Sequence, residues 1–104
     1  MSHESLYEHI YQSVKMIPKG KVATYGDIAW LSGNAKMARV VGNALHRNPY
    51  PGVVPCHRVV NSQGRLAEAF VFGGINRQRE MLEAEGVSFV GERVDMQQSH
   101  WKIK

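Results

Sequence analysis

The sequence predicts an α+β fold, mainly helical, organised around a helix-turn-helix. Three observations carry this: two helical periodicities that meet at a glycine between Thr24 and His46, a helical run on either side of them, and short apolar pairs set between dense turn chemistry. The short extended pieces beside the helix pair make the arrangement winged-helix-like. The 104 residues fit one compact unit, read as a single domain over 1–104. With 43% hydrophobic and 21% charged residues, the composition suits a chain that buries a core.

Taking the elements in order, Ser5-Leu6-Tyr7-Glu8 has the S-x-x-E form of a capping box. Leu6, Ile10, Val14 and Ile17 follow at helical spacing until Pro18 and Gly20 stop the pattern, which predicts a helix over 6–17. Val22-Ala23 reads as a short extended piece, and Thr24 as the N-cap of a helix bearing Tyr25, Ile28, Ala29 and Leu31, stopped by Gly33. A second run from Ala35 to His46 follows at once. Along it Ala38, Val41 and Leu45 share one face, while Lys36, Arg39, Asn43 and His46 share another with Ala35 and Gly42 beside them. That stripe is either a solvated helix face or a reading face. Small residues next to a row of donors allow a helix backbone to approach a groove closely.

Asn48-Pro49-Tyr50-Pro51-Gly52 must end the second helix. Val53-Val54, Pro55-Cys56-His57-Arg58 and Val59-Val60 then read as an extended apolar passage running into the turn Asn61-Ser62-Gln63-Gly64. Phe70-Val71-Phe72-Gly73-Gly74 reads as a loop packing its rings ahead of a helix over 75–85 that Gly86 ends. The remainder, with Phe89, Val94 and Trp101, reads as a tail folded back on the core.

The net charge of +4 is unevenly spread. Residues 15–79 carry ten Lys/Arg against Asp27 and Glu68, whereas each end of the chain carries −2. A polyanion fits the middle block; a merely solvated basic surface is the alternative. No apolar run approaches the roughly 18 residues of a membrane span, and the first residues lack the basic and apolar regions of a signal peptide, so a soluble protein of the cytoplasm is expected, without a membrane partner.

Cys56 is the only cysteine, so it is either an inert small hydrophobe or a thiol kept for chemistry. A nucleophilic thiol needs a base, since its unperturbed pKa near 8.5 leaves only a few per cent ionised at neutral pH. His57 and Arg58 supply a base and a cation next to it, although neighbours on a strand point to opposite faces, so that a bridging water is as good a link as direct contact. The paired spacings of a zinc site are absent, and no metal or cofactor is expected.

Pro55-Cys56-His57-Arg58-Val59, preceded by Asn48-Pro49 and by Ala38-Arg39-Val40-Val41-Gly42, resembles the DNA-binding domain of the O6-alkylguanine-DNA alkyltransferases and the alkyltransferase-like proteins. Gly20-Lys21-Val22 followed by Thr24-Tyr25-Gly26-Asp27-Ile28-Ala29 resembles that family's entry into its helix-turn-helix, and the likeness runs from about Leu6 to Gly86.

The resemblance implies a fold of the alkyltransferase C-terminal type and a monomer that binds double-stranded DNA containing O6-alkylguanine. It places the second helix in the minor groove, where Lys36, Ala38, Gly42 and Asn43 lie along the contact, Arg39 fills the gap left by the extruded base and Tyr25 contacts the neighbouring phosphate. Cys56 takes the position of the alkyl acceptor, His57 and Glu85 those of its water-linked base and acid, and Asn48 that of the residue ordering the turn. Pro51 and Arg58 belong to the pocket. An alkyl group on guanine O6 is hidden in the base stack, so a fixed thiol reaches it only after the base is flipped.

The departures point the other way. The N-terminal domain common in the alkyltransferases, with its zinc, has no counterpart, and Phe70-Val71-Phe72 replaces their usual pocket loop. The Arg77-Gln78-Arg79-Glu80 helix start and the tail through Trp101 are closer to the alkyltransferase-like proteins, which carry tryptophan or alanine at the position of Cys56 and bind lesions without repairing them. Position 56 thus implies a single-turnover methyltransferase. The frame implies a lesion sensor that flags damage for nucleotide excision repair proteins, and a plain helix-turn-helix regulator is a third reading, which leaves the Pro55–Arg58 segment without a role.

Overall fold

The computed structural model describes residues 3–50, 52–67 and 73–103; Pro51 and the Phe70-Val71-Phe72 stretch lie outside the described residues. The first helix, α1, spans His3–Lys15 and turns Ile10, Tyr11 and Val14 into the core. It begins ahead of the expected start, so Ser5 lies inside its first turn and is not its cap. It ends early because Pro18 disfavours helical geometry just before it: Met16 and Ile17 close tighter i→i+3 bonds to Ser13 and Val14 instead. Ile17 is still buried.

After the turn at Gly20, β1 (Ala23–Thr24) leads directly into α2 (Tyr25–Leu31). Thr24 caps α2 as expected and does so reciprocally: its hydroxyl accepts from Asp27 N–H at 3.0 Å, while the Asp27 carboxylate accepts from Thr24 N–H at 2.9 Å. Gly33, at a φ of +112°, follows the end of α2. The helix expected over 35–46 is divided. Asn34 Oδ1 captures Lys36 N–H at 2.9 Å and holds Ala35–Met37 as a 3-10 turn, so the α-helical part, α3, is Ala38–His46.

The passage expected to be extended is mostly not so. Cys56–Arg58 forms a 3-10 turn, because Pro55 cannot donate a ladder bond and its carbonyl instead accepts from Arg58 N–H at 2.9 Å. Only Val59–Val60 is strand, β2, and it pairs in parallel with β1 in the register Ala23↔Val59 and Thr24↔Val60. The Cys56-bearing turn is thereby fixed beside the start of α2.

Helix α4 spans Gly74–Ala84, close to expectation, and is followed by the hairpin β3 (Phe89–Val90) and β4 (Arg93–Val94) and the short α5 (Met96–Ser99). The tail does fold back. Val22 exchanges backbone bonds of 2.8 Å with Ser99 and Trp101, and Trp101 packs on the core. The β1–β2 pair lies where two apolar clusters meet. Ala23 and Val59 face α1, α2 and α3, whereas Val22 and Val60 face Leu66, Leu82, Val87 and Val94. Residues such as Ile10, Ile28 and Leu82, all wholly buried, each stabilise the fold by roughly 1.5–3 kcal/mol. The architecture is α+β and mainly helical, with a helix-turn-helix formed by α2 and α3. No described helix is long and apolar enough to cross a membrane.

Candidate active site and nucleic-acid interface

Cys56 lies at the start of its 3-10 turn, 5% exposed. Burial pushes its thiol above the ordinary range, and a hydrogen bond from the Asn48 side chain offsets this only in part. Asn48, itself buried, also donates to Val54 O at 3.2 Å and accepts from Tyr50 N–H at 2.8 Å. One amide therefore ties the Asn48–Val54 turn to the thiol. Tyr25, the first residue of α2, stands close enough to Cys56 that a thiolate there would repel a phenolate; burial is the larger cause of its raised pKa, and the phenol stays protonated.

In a 3-10 turn successive side chains diverge by about 120°, and the structure uses that divergence. While Cys56 faces Asn48, His57 faces Glu85, with Nε2 3.1 Å from Oε2. The two groups are close but not aligned for a hydrogen bond, which leaves Nε2 without a hydrogen-bond partner among the described residues. Burial lowers the pKa of His57; the Glu85 carboxylate opposes this and does not outweigh it, and Arg58 and Arg77 add to the lowering. The imidazole is neutral at pH 7 and available as a base.

Burial alone would raise the Glu85 carboxyl, but the Arg58 and His57 contacts prevail and hold it below the usual range. Arg58 grips it bidentately, with Nε to Oε1 at 2.9 Å and Nη2 to Oε2 at 2.6 Å, and its remaining Nη1 donates to Ile17 O at 2.8 Å. Arg58 was expected to line the pocket; the structure engages its guanidinium with Glu85 and the end of α1, and Pro51 lies outside the described residues.

The residue that sequence reasoning missed is Gln78. Wholly buried on α4, it donates from Nε2 to His57 O at 3.0 Å and Val59 O at 3.2 Å and accepts from Ala67 N–H at 2.8 Å, so it ties the thiol turn and the start of β2 to the segment that follows the Asn61–Gly64 turn. A glutamine inside an otherwise polar helix start gives no such signal. Its phase, four residues ahead of the buried Leu82, was the available clue.

These groups make stability pH-dependent. His57 has a folded pKa below its unfolded value near 6.5, so between the two the unfolded chain binds a proton that the folded chain refuses. Stability therefore falls as pH drops through that window. Glu85 and Asp27, both held below their unfolded values, contribute stability above roughly pH 4 that is lost as they protonate. For Asp27 the burial cost is outweighed mainly by His100, whose Nε2 lies 2.7 Å from Oδ2, and by Thr24. The thermal midpoint should decline steadily from about pH 7 to pH 4, and His57→Gln should flatten the upper part of that decline in a melting series.

The Lys36, Arg39, Asn43 and His46 stripe lies on the opposite side of the helix-turn-helix from its core. Val41, Ala44 and Leu45 are buried, whereas Lys36, Arg39, Asn43 and His46 are exposed, with Ala38 and Gly42 half-buried between them. Lys36 belongs to the 3-10 turn and so leads into the α3 stripe from outside the helix. The Arg39 guanidinium has no hydrogen bond or ion pair among the described residues. A Cβ added at Gly42 would meet no atom within 4 Å, so internal packing does not require a glycine there. Gly42→Ala should stabilise the domain by up to about 1 kcal/mol through helix propensity. Gly42→Trp should leave the fold intact yet weaken duplex binding by roughly tenfold or more, because it fills the approach to the groove. Melting and duplex titration of both variants check this.

The fold and the Asn48-Cys56-His57-Glu85 set, buried at its first three residues and half-buried at Glu85, define a DNA-binding domain built around a buried thiol. Residues 5–87 match the model of the DNA-binding domain of 6-O-methylguanine DNA methyltransferase, and the chain belongs to that family. It is 40% identical to the DNA base-flipping protein of Escherichia coli over 99 residues, 94% of this chain and 75% of that one. Among solved structures, Schizosaccharomyces pombe Atl1, in complex with damaged DNA containing O6-carboxymethylguanine, superposes with a TM-score of 0.81 at 36% identity over 98% of this chain and 99% of that one. The O6-methylguanine methyltransferase of Mycobacterium tuberculosis superposes at 0.69 with 40% identity, over 77% of this chain and 47% of that one. The family thus includes both methyltransferases and alkyltransferase-like proteins.

Proposed function

We propose that the protein binds O6-alkylguanine in duplex DNA through the minor groove, rotates the base out of the helix and transfers its alkyl group to Cys56. The observation that carries this reading is the joint placement of a buried thiol held by Asn48 and a neutral His57 set against an ionised Glu85. With the thiol pKa raised, little thiolate pre-exists, so the proton must leave locally as the reaction proceeds. His57 takes it, linked by water, and Glu85 stabilises the imidazolium that forms. The Sγ–C bond forms as the C–O6 bond breaks, and the electron pair goes to guanine O6. The proton taken from the thiol is matched by one returned to the guanine, so the transfer is neutral overall. The thioether has no route back to thiol, and each molecule acts once. Arg39 fills the vacated stack, and Tyr25 and Asn43 hold the backbone beside it.

The second reading is a lesion sensor acting ahead of nucleotide excision repair. It is favoured by the match to Atl1 over nearly the whole of both chains, where the methyltransferase match covers under half of the enzyme. Intact mass after incubation with a duplex containing O6-methylguanine separates the two. Transfer adds one methylene per protein molecule and leaves ordinary guanine in the DNA, whereas a sensor returns protein and lesion unchanged.

A further inference from the structure

Two arginines face each other outside the helix-turn-helix. Arg65, just beyond the turn after β2, forms an isolated antiparallel bridge with Arg93 on β4. Residues directly opposite in such a bridge project from the same face, where like charges repel and destabilise the pair. Both side chains are exposed, and neither guanidinium has a hydrogen bond or ion pair among the described residues. Arg79 nearby is fully engaged, by contrast: it bonds Gly91 O at 2.9 Å and lies 4.3 Å over the Phe89 ring, which braces the hairpin loop.

The juxtaposition is built into the backbone. Val94 N–H bonds Gly64 O at 2.9 Å, and a Cβ on Gly64 would stand 2.6 Å from Val94 O, so at a φ of +83° only glycine permits this approach. Asn61 Oδ1 fixes the same turn by accepting from Gln63 and Arg65 N–H at 2.9 and 2.8 Å. The pair borders a cleft of about 390 Å³ with Ile75, Val90 and Glu92, and Glu92 is the one acid lining it among the described residues. Arg93 comes from the acidic end of the chain, yet the fold delivers it to the basic middle block.

We infer that Arg65 and Arg93 form a phosphodiester clamp, a second contact to the DNA backbone separate from the recognition helix. Two guanidinium forks set on one face match a phosphate, whose charge removes the repulsion between them. Exposed Ser62 and Gln63 on the same turn add neutral donors of the kind that position a backbone. The turn follows directly from the Cys56-bearing segment through β2, so the clamp is joined to the thiol turn by a short stretch of chain. The inference rests on the DNA-binding reading above.

The test is a salt titration of duplex binding, with and without O6-methylguanine, for the unaltered protein, the Arg65→Ala/Arg93→Ala double variant and Arg93→Glu. For every phosphate that is no longer neutralised, the slope of log affinity against log salt should become shallower by about 0.9. The double variant should therefore have a slope shallower by about one and bind roughly tenfold more weakly at low salt, equally for both duplexes. Arg93→Glu should bind more weakly still while the free protein melts at a higher temperature, since it relieves the cross-strand repulsion. An unchanged slope overturns the clamp, as does a weakening confined to the lesion duplex. Binding of a polyglutamate peptide that disappears in the double variant while duplex binding is kept also overturns it, and would assign the face to an acidic protein. If the unaltered protein binds duplex without salt dependence, the DNA-binding reading itself fails, and that result is distinct from the other three.

Discussion

Cys56→Ser should abolish methyl transfer while leaving binding to O6-methylguanine duplex close to that of the unaltered protein. The substitution exchanges one pocket atom and keeps a hydroxyl that Asn48 can still hydrogen-bond, so the turn and its anchors to Val54 and Tyr50 persist. An alcohol at that site is far too weakly acidic for His57 to activate. His57→Ala should slow transfer by about 10²–10⁴-fold at neutral pH, and by less at about pH 9, where hydroxide supplies part of the missing base function. Glu85→Gln should act in the same direction and also release Arg58 from its bidentate partner, so its melting temperature should fall as well. Single-turnover mass measurements across pH check all three. Recovery of intact lesion from a tight complex with the unaltered protein would assign the thiol a packing role and make the protein a sensor.

Arg39→Ala should remove most of the preference for alkylated over plain duplex. A flipped base leaves a gap whose unstacking costs a few kcal/mol, and an exposed guanidinium without a partner among the described residues is free to fill it at no cost to the fold. Melting of the free domain should be unchanged. Tyr25→Phe should weaken binding by less, about 1 kcal/mol, because it removes one hydrogen bond. Titrating labelled duplexes with and without O6-methylguanine measures both, and equal discrimination by Arg39→Ala and the unaltered protein would end the case for its intercalation.

Helices α1 to α4 were legible in outline because apolar residues recur at helical spacing between punctuating residues, Thr24 at one start and Gly33 and Gly86 as stops, whereas the four-residue α5 carries no such run. The exposed polar stripe along α3 was legible from the same periodicity. What escaped was set by single polar contacts rather than by periodicity. Asn34 took the first turn of the second helix for a 3-10 geometry, and Pro55 bent the thiol segment out of the strand pattern that its valines suggested. The bidentate bond of Arg58 to Glu85 also escaped, because it joins residues far apart in the chain. Gln78 escaped because a buried amide with three backbone partners has the same one-letter code as a solvated one, and only its phase ahead of Leu82 marked it.

The two-residue parallel pairing of β1 with β2 bears on the order in which the molecule becomes competent. Helices α2 and α3 adjoin in the chain and find each other by local search, whereas the thiol turn reaches its place only when Val59–Val60 closes on Ala23–Thr24 across the whole helix-turn-helix. Non-local closures of this kind come late in folding. A nascent chain therefore completes its helix pair before its thiol turn is in place, and under the proposed function it would in that interval scan duplexes indiscriminately, blind to damage. Discrimination is the last property this polypeptide acquires, and a local opening of the β1–β2 pair would make it the first to go.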